Sequence, residues 1–183
     1  PPRSTLFPYT TLFRSGLLNK IGLNQWLGIA SCDALFGDAS ELVQTTSVLR
    51  FPVFIDGENY NGTPNMLKHP LLRRYVIEHF GREAKSLRNA VFVPLGDKVT
   101  ETLRFLVAQG VIKSEQVLDG LPHPSGANAE RIAYFLGNKS KEALSTKTDP
   151  VKLDRAREHL FSQLRALGRS EEHTSELQSP NTI

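Results

Sequence analysis

Cysteine is nearly absent from this sequence: Cys32 is the one cysteine in 183 residues. That excludes a disulfide within the chain, and with it any fold stapled by several bridges. It equally excludes a zinc or iron–sulfur site built from the cysteines of one chain. No apolar run approaches the ~20 residues of a membrane-spanning helix. The first residues lack the positive-then-apolar order of a secretory signal. Charge of one sign is also scarce, with 22 Lys and Arg against 19 Asp and Glu, a net charge of +3. So mild a balance is compatible with nucleic acid without pointing to it. No internal repeat or low-complexity segment divides the chain. The expectation is one cytoplasmic domain with a core of its own.

Both ends depart from the rest. Ser4-Thr-Leu-Phe-Pro-Tyr-Thr-Thr-Leu-Phe-Arg-Ser15 resembles the conceptual translation of an adapter oligonucleotide from a sequencing library. Arg169-Ser-Glu-Glu-His-Thr-Ser-Glu-Leu-Gln-Ser179 resembles the translation of the opposite adapter. Residues 1–15 and 169–183 are therefore expected to be non-native tails around a native-like domain at 16–168, itself shortened at its N-terminus. The charged tail residues are Arg3 and Arg14 at one end, and Arg169, Glu171, Glu172 and Glu176 at the other. They sum to zero, so residues 16–168 carry the whole +3.

Within that span, Leu17 to Leu23 reads as a helix end stopped at Gly22, and Gln25 to Phe36 as a short helix ending at Gly37. Val43 to Leu49 is β-branched and apolar, which predicts a strand closed by Pro52. Residues 56–64 form a polar loop with two glycine turns. Asp56, Glu58, Asn59 and Asn61 in it are read as solvated rather than as metal ligands. Apolar spacing predicts a helix over 70–87 and another over 97–109. Ala90 to Leu95 is short and continuously apolar, as in a buried parallel strand. A third strand is expected near Val117. A helix reaching Leu136, a basic loop (Lys139, Lys141, Lys147) and a helix starting at Asp149-Pro150 follow. Strands alternating with helices predict an α/β fold: three layers, α/β/α, around a mainly parallel central sheet, its first strand missing.

One stretch carries chemistry: Gly120-Leu-Pro-His-Pro-Ser-Gly-Ala-Asn128, at the exit of the third expected strand. His123 lies between two prolines, so its backbone is held extended. Ser125, Gly126 and Asn128 add a hydroxyl, a permissive backbone and a helix cap. Ligand sites of open α/β sheets sit at such strand exits. His69 reads as a helix-start residue, and His79 and His159 as helix residues with no paired ligand.

Three ordered motifs carry a resemblance. Thr45-Thr-Ser-Val-Leu-Arg50, Val91-Phe-Val-Pro-Leu-Gly96 and His123-Pro-Ser125 together resemble the uracil-DNA glycosylase superfamily over nearly all of residues 16–168. The resemblance implies a DNA-repair enzyme that flips a damaged base, uracil foremost, out of the duplex and hydrolyses its N-glycosidic bond. It implies no cofactor and no metal, a monomer, and damaged DNA as partner. His123 takes the leaving-group role by stabilising the anion of the departing base. Ser47 falls at the base-reading position. Ser125, Gly126, Asn128 and Arg131 fall where a DNA phosphate is held.

The sequence also departs from the family. Its Gly-rich loop with the water-activating Asp or Asn belongs before residue 16, so this chain is expected to be inactive alone. Ser47 replaces the amide that pairs with uracil, and Ala127 replaces the larger side chain that fills the vacated stack. The alternative is a non-catalytic nucleic-acid-binding member of the same fold that has lost the chemistry.

Overall fold

The computed structural model describes the backbone of residues 8–176 and the side chains of residues 13–168. Residues 1–7 and 177–183, parts of the two expected tails, lie outside the described residues. Helices dominate: α1 (Pro8–Lys20), α2 (Leu23–Trp26), α3 (Pro70–Tyr75), α4 (Arg82–Ser86), α5 (Asp97–Ala108), α6 (Ala129–Leu136) and α7 (Pro150–Glu176). A π-helical turn, Val76–Gly81, joins α3 to α4 into one rod. The sole sheet among the described residues is a two-stranded antiparallel hairpin, β1 (Phe54–Ile55) with β2 (Glu58–Asn59).

This corrects the expected fold class. No mainly parallel central sheet and no three-layer α/β/α arrangement forms among the described residues. The expected strand over residues 43–49 is an irregular extended segment, because its polar side chains bond outward. Gln44, Thr46 and Arg50 all reach the Glu83 carboxylate at the start of α4. The runs at residues 90–95 and 116–118 do lie parallel, but they share one bridge, Phe92 with Val117. Phe92 N donates to Gln116 O at 2.6 Å, and Leu118 N to Phe92 O at 2.9 Å. The ladder stops there because the next donor in the run would be residue 94, a proline with no N–H. On the side facing away from Phe92, the Val117 carbonyl accepts from Gln163 Nε2 of α7 at 2.8 Å. A side chain thus occupies an acceptor that a neighbouring strand would use.

These two extended runs separate two cores. Val91, Val93, Leu95 and Leu118 pack with Leu17, Ile21, Phe135 and Leu160, on the side of α1, α6 and α7. Phe92 and Val117 pack with Val76, Phe80, Leu103 and Leu106, on the side of α3 and α5. Alternate residues of an extended chain face opposite ways, so both faces are covered. That is why the sequence reads as continuously apolar here. Each fully buried Leu or Phe in either core contributes roughly 1.5–3 kcal/mol of transfer free energy.

Local signals explain most helix limits. Asp149 Oδ1 accepts from Lys152 N at 3.1 Å, so a cap plus Pro150 starts α7. Gly137, with φ 87°, ends α6. The helix expected over residues 25–36 is instead two pieces. The chain leaves α2 after Trp26, and Ser31 starts a 3-10 turn, Cys32–Phe36, by accepting from Asp33 N at 3.2 Å. The expected boundary between residues 15 and 16 falls inside α1, where Ser15 is buried and Phe13 packs on the core.

Candidate functional site

The loop carrying His123 leaves the end of the Val117–Leu118 run. Asp119 is its root. Its carboxylate is 8 % exposed and binds Arg104 of α5 through Nη2 at 2.6 Å and His159 Nε2 of α7 at 3.3 Å. Because the carboxylate is shielded, losing its partner leaves a buried charge uncompensated. His159, read from the sequence as a helix residue with no paired ligand, is therefore one side of a long-range contact within the chain. Its helical spacing gave no sign of this, because the partner lies 40 positions away.

Gly120 follows, and α7 lies against it. A Cβ there would stand 3.2 Å from the Ala156 carbonyl oxygen. Leu121 and Pro122 are buried, His123 is exposed, and Pro124 is buried again. The imidazole thus projects from a backbone pinned on both sides. Directly behind it lies Gly96, the residue before α5. A Cβ on Gly96 would fall 2.8 Å from His123 Cβ.

Downstream, Ser125, Asn128 and Arg131 form a polar ladder. Asn128 Nδ2 donates to Ser125 Oγ at 3.1 Å, and Arg131 Nη1 donates to Asn128 Oδ1 at 3.0 Å. Arg131 Nη2 also donates to the Lys147 carbonyl at 3.3 Å. The structure therefore joins three of the expected phosphate residues, with exposed Gly126 between them at the turn entering α6. Ala127 is exposed and contributes only a methyl group.

The expected basic loop after α6 is tied down by one carboxylate. Glu130 accepts from Lys139 Nζ at 2.7 Å, from Ser145 N at 3.1 Å and Ser145 Oγ at 2.6 Å, and from Thr148 Oγ1 at 2.5 Å. The Lys139 ammonium, followed by these hydroxyl and amide donors, holds the Glu130 carboxyl well below the usual range. Lys139 is consequently neutralised, while Lys141 and Lys147 stay exposed.

Ser47 behaves differently. It is exposed, and its hydroxyl accepts from Leu49 N at 3.3 Å. Among the described residues no hydrogen bond joins it to the His123 loop, and its neighbour Val48 belongs to the other core. Asp56, Glu58, Asn59 and Asn61 are exposed, as a solvated loop requires. Among the described residues no group of three or more His, Cys, Asp or Glu side chains is placed to hold a metal ion. Likewise, no helix among them is long and apolar enough to cross a membrane.

No family model matches the chain, and no solved structure matches it. It is similar to the uncharacterized protein YoxB of Bacillus subtilis (strain 168), at 37% identity over 127 residues. The match takes in 68% of this chain and 50% of YoxB, so the chain spans about half the length of this curated relative.

Proposed function

We propose that the protein to which this chain belongs removes a damaged base from DNA, uracil foremost, by hydrolysing its N-glycosidic bond. One observation carries the reading. An exposed imidazole stands on a pinned loop, followed directly by the Ser125–Asn128–Arg131 ladder, a group of donors suited to a phosphate. In this reaction the bond between the sugar C1′ and the base nitrogen breaks, and its electron pair leaves with the base. Water adds its oxygen to C1′ and gives up a proton. His123 donates a hydrogen bond to the base O2, where the leaving charge gathers. A donor fixed before the reaction needs no reorganisation as that charge develops. Ser125, the Gly126 amide, Asn128 and Arg131 hold a flanking phosphate, which sets register without reading sequence.

The reading rests on this loop and on the ordered motifs, and not on a parallel sheet. It needs no metal or cofactor, assigns the protein to the cytoplasm as a monomer, and takes the water-activating group from outside these 183 residues. Ser47 offers a hydroxyl where an amide would pair with uracil, and exposed Ala127 offers only a methyl group to fill the vacated stack. That observation favours a second reading, a nucleic-acid-binding protein of the same lineage without the chemistry. Incubating the full-length gene product with a uracil-containing oligonucleotide separates them. The first reading predicts free uracil and the second predicts salt-sensitive binding without release. Neither release nor binding would exclude both.

A further inference from the structure

We infer that Gly96 is the positioning residue of the His123 loop, the part that fixes where the imidazole stands. This rests on the role of His123 proposed above. Gly96 is held from both sides. Its amide donates to the Leu121 carbonyl at 3.2 Å, two residues before His123. Its own carbonyl accepts from Thr100 N and Thr100 Oγ1, both at 3.1 Å, which ties it to the first turn of α5. The residue is thus a joint between the loop and a helix packed on the core through Leu103 and Leu106.

Its conformation, φ 103°, is one that L side chains rarely adopt. Above it the space is already taken. A Cβ at residue 96 would lie 2.8 Å from His123 Cβ, 3.3 Å from Cδ2 and 3.4 Å from Cα. The first and last of these belong to the stem of the histidine, which no rotamer change moves. Nor does the stem shift freely, because Pro122 and Pro124 beside it are buried and His123, preceding a proline, is restricted to extended backbone. The absent side chain at 96 therefore forms the seat of the imidazole. Any larger residue must push His123 outward.

Gly62 provides the control. It has nearly the same backbone angle, φ 98°, but a Cβ there meets only the flexible Lys98 side chain, at 3.6 Å. Gly96→Ala and Gly62→Ala thus both place a side chain at a positive φ, and only the first collides with His123. In the 183-residue chain the His123 ring signals, assigned by their loss in His123→Gln, should move in Gly96→Ala and stay in place in Gly62→Ala. Gly96→Ala should also lower the denaturation midpoint more than Gly62→Ala does. That excess should largely vanish in a His123→Gly background, where the two closest atoms, Cβ and Cδ2, are gone. If Gly96→Ala does not fold alone, folding of the Gly96→Ala/His123→Gly pair supports the inference, and failure of both overturns it. Unmoved ring signals, or an equal midpoint loss in both backgrounds, overturns it as well.

In the full-length gene product, Gly96→Ala should lower kcat on the order of 100-fold while KM changes little, as a displaced catalytic group does. If the wild-type protein releases no base, the proposed function fails. The ring signals and midpoints still judge Gly96 by themselves.

Discussion

Arg104 holds Asp119 through two nitrogens at one oxygen, Nε at 2.8 Å and Nη2 at 2.6 Å from Oδ2. The carboxylate is buried and the guanidinium is 70 % exposed. The pair is therefore asymmetric. Removing Arg104 strands a shielded charge with only His159 beside it, whereas the Lys152–Asp97 pair, 68 % and 85 % exposed, strands nothing. Arg104→Ala should cost about 2 kcal/mol and Lys152→Ala less than about 1 kcal/mol. Urea denaturation of both variants checks this, and equal losses would contradict it.

Glu130 makes stability depend on pH in the acid range. Its folded carboxyl titrates below an unfolded glutamate, so its contribution is complete above the unfolded value of about 4.3. That contribution is then lost as pH falls from there toward the folded value. The urea midpoint of the wild-type chain should decline as pH drops below about 5. Glu130→Gln should show a lower midpoint at neutral pH and a flatter acid decline. Parallel curves would remove Glu130 from the account. Amide exchange over residues 139–148 should also speed up in this variant, because Ser145 and Thr148 lose their shared acceptor.

In the proposed phosphate site Arg131 is the cation, and its contribution should be visible in salt. Binding of a single-stranded oligonucleotide should weaken with salt along a log–log line, and Arg131→Gln should reduce that slope by about 0.7. The loss should be the same for different sequences, since phosphate contacts carry no base information. An unchanged slope would take Arg131 out of the interface.

Much of the helical frame was legible in the residues themselves. The Asp149-Pro150 start of α7, the span of α5 from Asp97 and the Gly137 stop of α6 all follow local chemistry that acts within one turn. The strands were not legible in the same way. Val43 to Leu49 has strand composition, but composition reports a side chain's fit to a half-buried surface and not the presence of a pairing partner. Here Glu83 supplies side-chain partners, and Gln163 caps the Val117 carbonyl. One strand signal went unread. Asp56-Gly57 lies between Phe54-Ile55 and Glu58-Asn59, and both turn residues have positive φ, 51° and 82°. That is the turn the Asp-Gly pair favours in a two-residue hairpin.

The loop follows the Val117–Leu118 run, which forms a single bridge and not the expected sheet strand, and its ladder follows from three residues at helical spacing, Ser125, Asn128 and Arg131. Gly96 and Asp119 were missed as parts of the site. Their contacts with His123 and Arg104 join separate segments, and nothing in the sequence pairs those positions.

The proposed glycosylase reaction is tested by release of uracil from a labelled oligonucleotide by the full-length gene product, with His123→Ala measured beside it. Release by the wild type is expected, with a fall in kcat of at least about 100-fold in the variant, the scale of losing one preorganised charge-stabilising donor. The variant should keep its fold and its DNA affinity. No release by the wild type, or release that His123→Ala leaves unchanged, would contradict the proposal.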